Sequence, residues 1–202
     1  QLEKRIAGAV SQHWTVGAEW FQTDLENLRD GTPASSSLNV RDMPKTQTTQ
    51  WGVYTQNELA FAGGAFTLTP GLRYDSYRLN PEVDKPFSNG GGKAVALEDS
   101  ALSPKLTAAW KVAEAATLFA QYSEGFRAPN ALELNGSYKS PMGYAAIANP
   151  DLKPETSKGI EFGGRFGDRK LGFSVTGFDN RYDDFIEQSS LKCPGTVGCV
   201  PG

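Results

Sequence analysis

The chain has 202 residues, 11% of them aromatic, and it contains 22 glycines and 12 prolines. This composition favours many short strands joined by turns over helices. The 20 basic residues nearly balance the 23 acidic ones, and the sequence has no basic run of the kind that binds DNA or RNA. The composition therefore argues against a nucleic-acid partner.

Hydropathy excludes one class of membrane protein and leaves another open. No apolar run approaches the roughly 18 residues that a transmembrane helix needs. A transmembrane β-barrel escapes this test because its strands alternate apolar and polar residues. The first residues lack the basic-then-apolar order of a signal peptide, and the chain does not begin with Met, so we expect a piece of a longer protein.

Alternation of apolar and polar residues predicts seven strands. In the third of them, Leu68 and Leu72 fall on one face while Arg73 and Asp75 fall on the other. In the seventh, the assignment of faces is ambiguous past Gly177. The predicted strands span residues 13–24, 50–61, 66–78, 101–112, 117–125, 155–166 and 171–188.

The lengths of the connections indicate the architecture. Those after the second, fourth and sixth strands are short, whereas those after the first, third and fifth are several times longer. Short turns at one end and long loops at the other are typical of an outer-membrane barrel. A soluble β-sandwich also has seven strands, but it has no reason to carry long loops at one end only. We therefore predict an all-β fold, an antiparallel transmembrane β-barrel segment with long extracellular loops and short periplasmic turns.

The same alternation assigns the two faces of the predicted wall. Charged side chains that should face a wet lumen are Lys105, Lys111, Glu155, Glu161 and Arg165. Aromatic side chains that should lie near the membrane interfaces are Trp14, Trp20, Tyr74, Trp110 and Tyr122. Because a bacterial barrel needs an even number of at least about eight strands, seven strands predict a fragment of a larger wall.

Two proline-bounded segments frame the loop after the fifth strand: Phe126-Arg127-Ala128-Pro129 and Asn149-Pro150-Asp151-Leu152. Proline fixes its own φ and disfavours helix for the residue before it, so both ends of the loop should be rigid. Binding loops are commonly supported in this way. Arg127 is predicted either to bind a ligand carboxylate or to brace the loop by pairing with Glu133 or Glu155, and bracing is favoured.

These two segments resemble the FRAP and NPL boxes of TonB-dependent outer-membrane receptors. Residues 68–75 and 102–105 resemble strand signatures of the same barrels. The resemblance implies a barrel of roughly 22 strands closed by an N-terminal plug, in the outer membrane of a Gram-negative bacterium and surrounded by its lipid. Residues 1–202 would then be a partial barrel domain, without the plug, the TonB box and the C-terminal strands.

The resemblance also implies a function. The box pair is most familiar from haem and haemoglobin receptors, so we expect active import of an iron-bearing ligand, driven by the TonB energy-transducing complex through the plug. The ligand would be haem or haem from a haemoprotein, and no permanent cofactor is implied. A ferric-siderophore receptor is the alternative, and a passive porin or an adhesin is the alternative of another class.

One departure from the family pattern concerns the ligand. Haem receptors of this type usually carry an axial histidine between the boxes, and residues 130–148 contain none. The single histidine, His13, should lie near the short-turn end. A tyrosinate or a thioether can also bind haem iron, while aromatic and basic groups would suit a siderophore. The predicted ligand-binding residues are Phe126, Arg127, Tyr138, Lys139, Met142 and Tyr144.

Two further readings concern the cysteines and catalysis. Cys193 and Cys199 bracket a turn-rich segment and predict a disulfide in an oxidising compartment, and with one distant histidine they lack the partners of a metal site. The sequence holds neither a usable Ser/His/Asp set nor a phosphate-binding glycine loop, so we predict no enzymatic activity.

Overall fold

The computed structural model describes residues 1–30, 39–89, 93–139, 145–168 and 170–190. These residues form an open antiparallel sheet of eight strands in the order β1-β2-β3-β4-β5-β6-β9-β10, with a separate hairpin of β7 and β8. The elements are β1 Leu2–Ile6, β2 Ser11–Leu25, β3 Lys45–Phe61, β4 Phe66–Glu82, α1 Lys85–Asn89, β5 Leu97–Ala113, β6 Ala116–Arg127, α2 Ala131–Asn135, β7 Ser137–Lys139, β8 Ala145–Ile147, β9 Glu155–Gly167 and β10 Gly172–Asp183.

All seven predicted strands are present, and β1 adds an eighth strand to the sheet. Leu2 pairs with Val16 and Ile6 pairs with Gln12. Three consecutive charged residues fill most of this five-residue strand, and so its alternation is hard to recognise. The strands β3, β4 and β5 also extend past their predicted ends at the loop side, where mostly polar residues continue to pair, whereas β10 ends at Asp183, short of its predicted end at residue 188.

The predicted alternation of long and short connections is confirmed. The described residues of the short turns 7–10, 62–65, 114–115 and 168–171 lie at one edge of the sheet, and those of the long connections 26–44, 83–96 and 128–154 lie at the other. Gly63 and Gly64 have φ angles of 68° and 89°, a conformation that favours glycine and closes the tight turn between β3 and β4. The long connections contain α1, α2 and the β7–β8 hairpin, which the sequence analysis did not predict.

Strand register gives the sheet one apolar and one polar face. Trp20 lies opposite Trp51, and the Trp51 and Tyr74 ring centroids are 5.3 Å apart toward the loop edge. Toward the turn edge Phe66 lies opposite Trp110. Two aromatic bands with aliphatic residues between them are expected of a surface that faces lipid, and we call this the membrane face. The opposite face, which we call the lumen face, carries Glu19, Arg73, Asp75, Lys105, Glu161 and Arg165.

Among the described residues, no helix is both long and apolar enough to cross a membrane. The fully buried side chains cluster at the loop edge, where they include Phe87, Leu79, Leu134, Pro44 and Pro129. We call the described parts of the three long connections, 26–30, 39–44, 83–89, 93–96, 128–139 and 145–154, the loop layer. The loop layer has a hydrophobic core, and the sheet below it exposes its apolar residues.

Candidate ligand-binding site

Both proline-bounded segments contribute to the core of the loop layer. Phe126 of the first segment and Leu152 of the second pack against a buried cluster that includes Leu79 and Leu134. The hydroxyl of Tyr77 on β4 donates a hydrogen bond of 3.0 Å to the carbonyl oxygen of Pro129. The two segments therefore form a fixed floor to which the connection between β6 and β9 is anchored.

Helix α2 links the two segments to each other. The side chain of Asn130 accepts hydrogen bonds from the backbone N–H groups of Leu132 and Glu133, at 2.9 and 3.0 Å. The Glu133 carboxylate accepts one in return from the Asn130 N–H at 2.8 Å, which completes a capping box. The N–H of Asn149 donates to the carbonyl oxygen of Glu133 at 3.0 Å. The first turn of α2 thus holds both ends of the connection together.

Arg127 braces the same connection. Its guanidinium donates a hydrogen bond to Glu133 and forms an ion pair of 3.3 Å with Glu155 at the start of β9. Glu155 also accepts a hydrogen bond of 2.5 Å from the N–H of Ile186, just beyond β10. Arg127 therefore joins the end of β6 to the start of β9, and two carboxylates already compensate its charge.

Tyr138 lies on β7 and is held by residues of the first long connection. The guanidinium carbon of Arg29 lies 4.9 Å from the centre of the Tyr138 ring, within the range of a cation–π interaction. Arg29 forms an ion pair with Asp42, and the carbonyl oxygen of Asp42 accepts a hydrogen bond of 2.6 Å from the N–H of Ser137. Asp42 therefore positions both the arginine and the strand that carries the tyrosine.

Arg41 is a second linking residue that the sequence analysis did not identify. It is 6% exposed, and its guanidinium donates to Asp84 at 2.6 Å, to Glu26 at 2.8 Å and to the carbonyl oxygen of Asn27. Its backbone N–H donates to the carbonyl oxygen of Pro86 at 3.1 Å. Arg41 therefore connects the first long connection to the second. No local sequence motif predicts this role of Arg41, because its main partner, Asp84, lies 43 positions away in the chain.

The ion pairs of Arg41 shift the pKa values of their carboxylates. Burial would raise the pKa of Asp84, but hydrogen bonds from Arg41 and from the backbone N–H of Phe87 outweigh burial and lower it. The hydrogen bond from Arg41 and the charge of Lys45 lower the pKa of Glu26. The Asp84 carboxylate in turn raises the pKa of Arg41. All three groups are thus held in their charged forms.

The second and third long connections are joined through an amide. The side-chain oxygen of Asn135 accepts from the N–H of Val95 at 2.7 Å, and its side-chain nitrogen donates to the carbonyl oxygen of Val95 at 3.0 Å. Asn135 is 2% exposed, and the two bonds imitate a pair of strand hydrogen bonds. Together with Arg41 and Asp42, this contact makes the loop layer one packed unit.

A cleft of about 370 Å³ lies where β6 leaves the sheet, and both Phe126 and Arg127 line it. Its other walls come largely from the lumen face, where Arg73 pairs with Glu19 and, at 2.6 Å, with Asp75. The cleft therefore places Phe126 and Arg127 above a polar surface on which one arginine pairs with two carboxylates.

The structure brings together only part of the predicted ligand-binding set. Phe126 and Arg127 meet at the cleft, and Tyr138 and Lys139 lie on β7. Met142, Tyr144, Cys193 and Cys199 lie outside the described residues, so the ligand hypothesis for the first two and the disulfide for the last two stay predictions.

His13 lies toward the short-turn edge, where its Nε2 is 3.2 Å from Glu3. Within the part of the chain that the structure describes, no group of three or more His, Cys, Asp or Glu side chains is arranged to hold a metal ion.

Comparison with known proteins gives a consistent result. A family model described as TonB dependent receptor-like, beta-barrel matches residues 2–198. The Heme/hemopexin utilization protein C of Haemophilus influenzae is 31% identical over 89% of this chain, and the ferrienterobactin receptor of Escherichia coli is 27% identical over 88%. The chain spans 27% and 24% of the lengths of these two curated relatives.

Among solved structures, the hemophore receptor HasR of Serratia marcescens, in complex with its hemophore and heme, has a similar fold. The TM-score is 0.71 at 20% sequence identity, and the match covers 91% of this chain and 32% of that one. At this level of identity the comparison establishes a shared architecture of the strands.

Proposed function

Because the chain belongs to the family of TonB-dependent receptor-like β-barrels, we propose that it forms part of the wall of a receptor that actively imports haem, or haem taken from a haemoprotein. The segment lies in the outer membrane of a Gram-negative bacterium. Import would draw its energy from the TonB complex, acting through a plug outside this segment. The haem would be a transported ligand and would not remain as a cofactor.

The observation that carries this proposal is the relation to the haem/hemopexin utilization protein, which extends over 89% of the chain and includes both boxes. The geometry of the loop layer supports it. The boxes anchor a connection whose β7 strand presents Tyr138 beside Arg29, and an aromatic ring next to a cation suits a flat anionic ligand. The layer is also packed as one unit, which lowers the entropy that a ligand must offset on binding.

A ferric-siderophore receptor is the second candidate. The absence of histidine from residues 130–148 favours it, since siderophores are recognised without a protein ligand to the iron. The similarity to the ferrienterobactin receptor is consistent with it. A passive porin or an adhesin would use a similar wall without energy coupling. In each case the protein would be a transport or binding protein without catalytic activity.

The test uses the full-length receptor titrated with haemin and, separately, with ferric siderophores. We expect haemin to bind with a shift of its strongest absorption band and the siderophores to bind weakly. Growth on haemin as the iron source should require both the receptor and TonB. Tight binding of a siderophore without any haemin band shift would indicate that the transported ligand is a siderophore and not haem. Growth independent of TonB would favour a passive porin.

Single replacements test direct ligation of the iron. Exchange of the ligating residue among Tyr138, Met142 and Tyr144 should change the spectrum of bound haemin, because the axial ligand determines it. Tyr138→Phe is the sharpest of these variants, since it removes the hydroxyl and keeps the ring beside Arg29. Unchanged spectra in all three variants would exclude ligation by this loop while leaving haem transport itself in place.

A further inference from the structure

Three arginines hold the loop layer together in its described part, and they differ in how their charge is compensated. Arg41 pairs with Asp84 and Glu26, and Arg127 pairs with Glu133 and Glu155. Each of these two guanidinium groups is therefore matched by two carboxylates. Among the residues that the structure describes, Arg29 forms an ion pair with one carboxylate, that of Asp42.

The surroundings of Arg29 also differ from those of the other two. The side chain of Arg29 is 33% exposed, more than that of Arg41 at 5% and less than that of Arg127 at 45%, so it is accessible from outside. The carbon of its guanidinium lies over the ring of Tyr138, 4.9 Å from the ring centroid. A guanidinium has five N–H donors in a planar fork that matches a carboxylate. The arginine and the ring together could bind the edge and the plane of one ligand.

Two contacts fix this pair. Asp42 holds Arg29 through its carboxylate and holds β7 through the hydrogen bond that its carbonyl oxygen accepts from Ser137. A further pair of backbone contacts joins Arg29 and Val40 in an isolated bridge, with the Arg29 N–H donating to the Val40 carbonyl oxygen at 2.9 Å. The arginine is therefore held by backbone and side chain before any ligand arrives, which is the condition for specific binding at low entropic cost.

We infer that Arg29 is a ligand-binding residue that recognises a carboxylate at the edge of a flat iron-bearing ligand, with Tyr138 stacking beside it. The inference rests on the proposed function and makes it more specific, because the porphyrin of haem carries two carboxylates and can be tested with them blocked. For Arg127 the sequence analysis weighed this role against bracing and favoured bracing, and its guanidinium pairs with Glu133 and Glu155.

The experiment compares haemin with haemin dimethyl ester, in which both carboxylates are neutral esters, on the full-length receptor. The wild-type protein should bind haemin about tenfold or more tightly than the ester, as expected for a charge-assisted hydrogen bond. Arg29→Gln should weaken haemin binding by the same factor and leave the ester unchanged. The preference for haemin should thus disappear in this variant.

Two further variants keep the test decisive if Arg29→Gln folds poorly. Arg29→Lys keeps the charge but loses the planar fork, so part of the preference for haemin should remain. Arg78→Gln is the matched control, since Arg78 is an exposed arginine on β4 that pairs with a carboxylate, that of Glu98. It should leave both affinities unchanged.

The outcomes separate this inference from the proposed function. If the wild-type receptor binds neither probe, haem transport fails together with the inference. If it binds both equally, or if Arg29→Gln weakens both probes by the same factor, haem transport stands but Arg29 only supports the loop, and the inference is wrong. Loss of the haemin preference in Arg29→Gln alone supports it.

Discussion

The sheet and the loop layer place their apolar side chains in opposite environments. On the membrane face Trp20 is 62% exposed and Phe162 is also 62% exposed, whereas in the loop layer Phe87 is 0% exposed and Leu134 is 2% exposed. The sheet is held by strand hydrogen bonds and leaves its apolar surface to lipid, while the layer meets water and must build its own core. The same chain therefore uses two different means of stabilisation.

The largest contrast should come from the same substitution made in both regions. Leu134→Ala removes buried methyl groups from the core of the loop layer and should cost about 3 kcal/mol, because the rigid surroundings leave a cavity. Leu102→Ala lies on the membrane face, where lipid chains fill the space, so its effect should be clearly smaller. Amide exchange of residues 128–139 in the full-length receptor measures the difference. Equal effects would contradict the division into two regions.

A charge placed in turn on each face of one strand tests the assignment of the membrane face and the lumen face. Leu106 lies on the membrane face of β5 between the two aromatic bands, and the next residue, Thr107, lies on the lumen face. Leu106→Arg should destabilise the receptor by about 2–3 kcal/mol, since lipid solvates the charge poorly. Thr107→Arg should have little effect, because the lumen face is polar. Unfolding in urea from lipid vesicles measures both, and the reverse order would overturn the assignment of the faces.

The cap of α2 should have a smaller effect. Asn130→Ala removes the two hydrogen bonds that the side chain accepts and should cost about 1 kcal/mol. The loss should appear as faster exchange at α2 and also around Asn149, which is tied to Glu133. Asn130→Asp restores the acceptor and should recover most of the protection. If Asn149 stays protected in Asn130→Ala, α2 does not connect the two boxes.

The sequence predicted the sheet much better than the loop layer, for physical reasons. A strand with one face in lipid needs strict alternation, so the faces of β4 could be read from residues 66–78. In the loop layer the stabilising contacts join residues that lie far apart in the chain, such as Arg41 and Asp84. A periodic pattern of apolar and polar residues cannot predict such contacts. One signal was available, since Asn130 followed by Glu133 has the spacing of a capping box and would have revealed α2.

The candidate site shows the same limit. The boxes themselves were found, because their prolines frame the loop and their residues resemble the pattern of a known family. Their role as the floor of a packed layer depends on Tyr77 and Leu79, two residues at the end of β4 that look like ordinary strand positions. Arg29 was missed because its partner Tyr138 is more than 100 positions away in the chain. Short-range pattern can therefore locate a binding loop more readily than the groups that position it.

The smallest expected effect is a dependence of the loop layer on pH, since the ion pairs of Arg41 link two of its connections. Asp84 and Glu26 have lowered pKa values in the folded protein. Their contribution to the stability of the loop layer is therefore complete above their ordinary pKa values of about 4, and it is lost as the pH falls through the lowered values. Pepsin should therefore cleave the loop layer faster at about pH 3 than at about pH 5. The difference should exceed the change in the rate at which pepsin cleaves an unfolded peptide between the same two pH values. Arg41→Leu should already be cleaved quickly at both values. If the wild-type loop layer resists pepsin equally at both pH values, then packing around Phe87, and not the ion pairs of Arg41, holds the connections together.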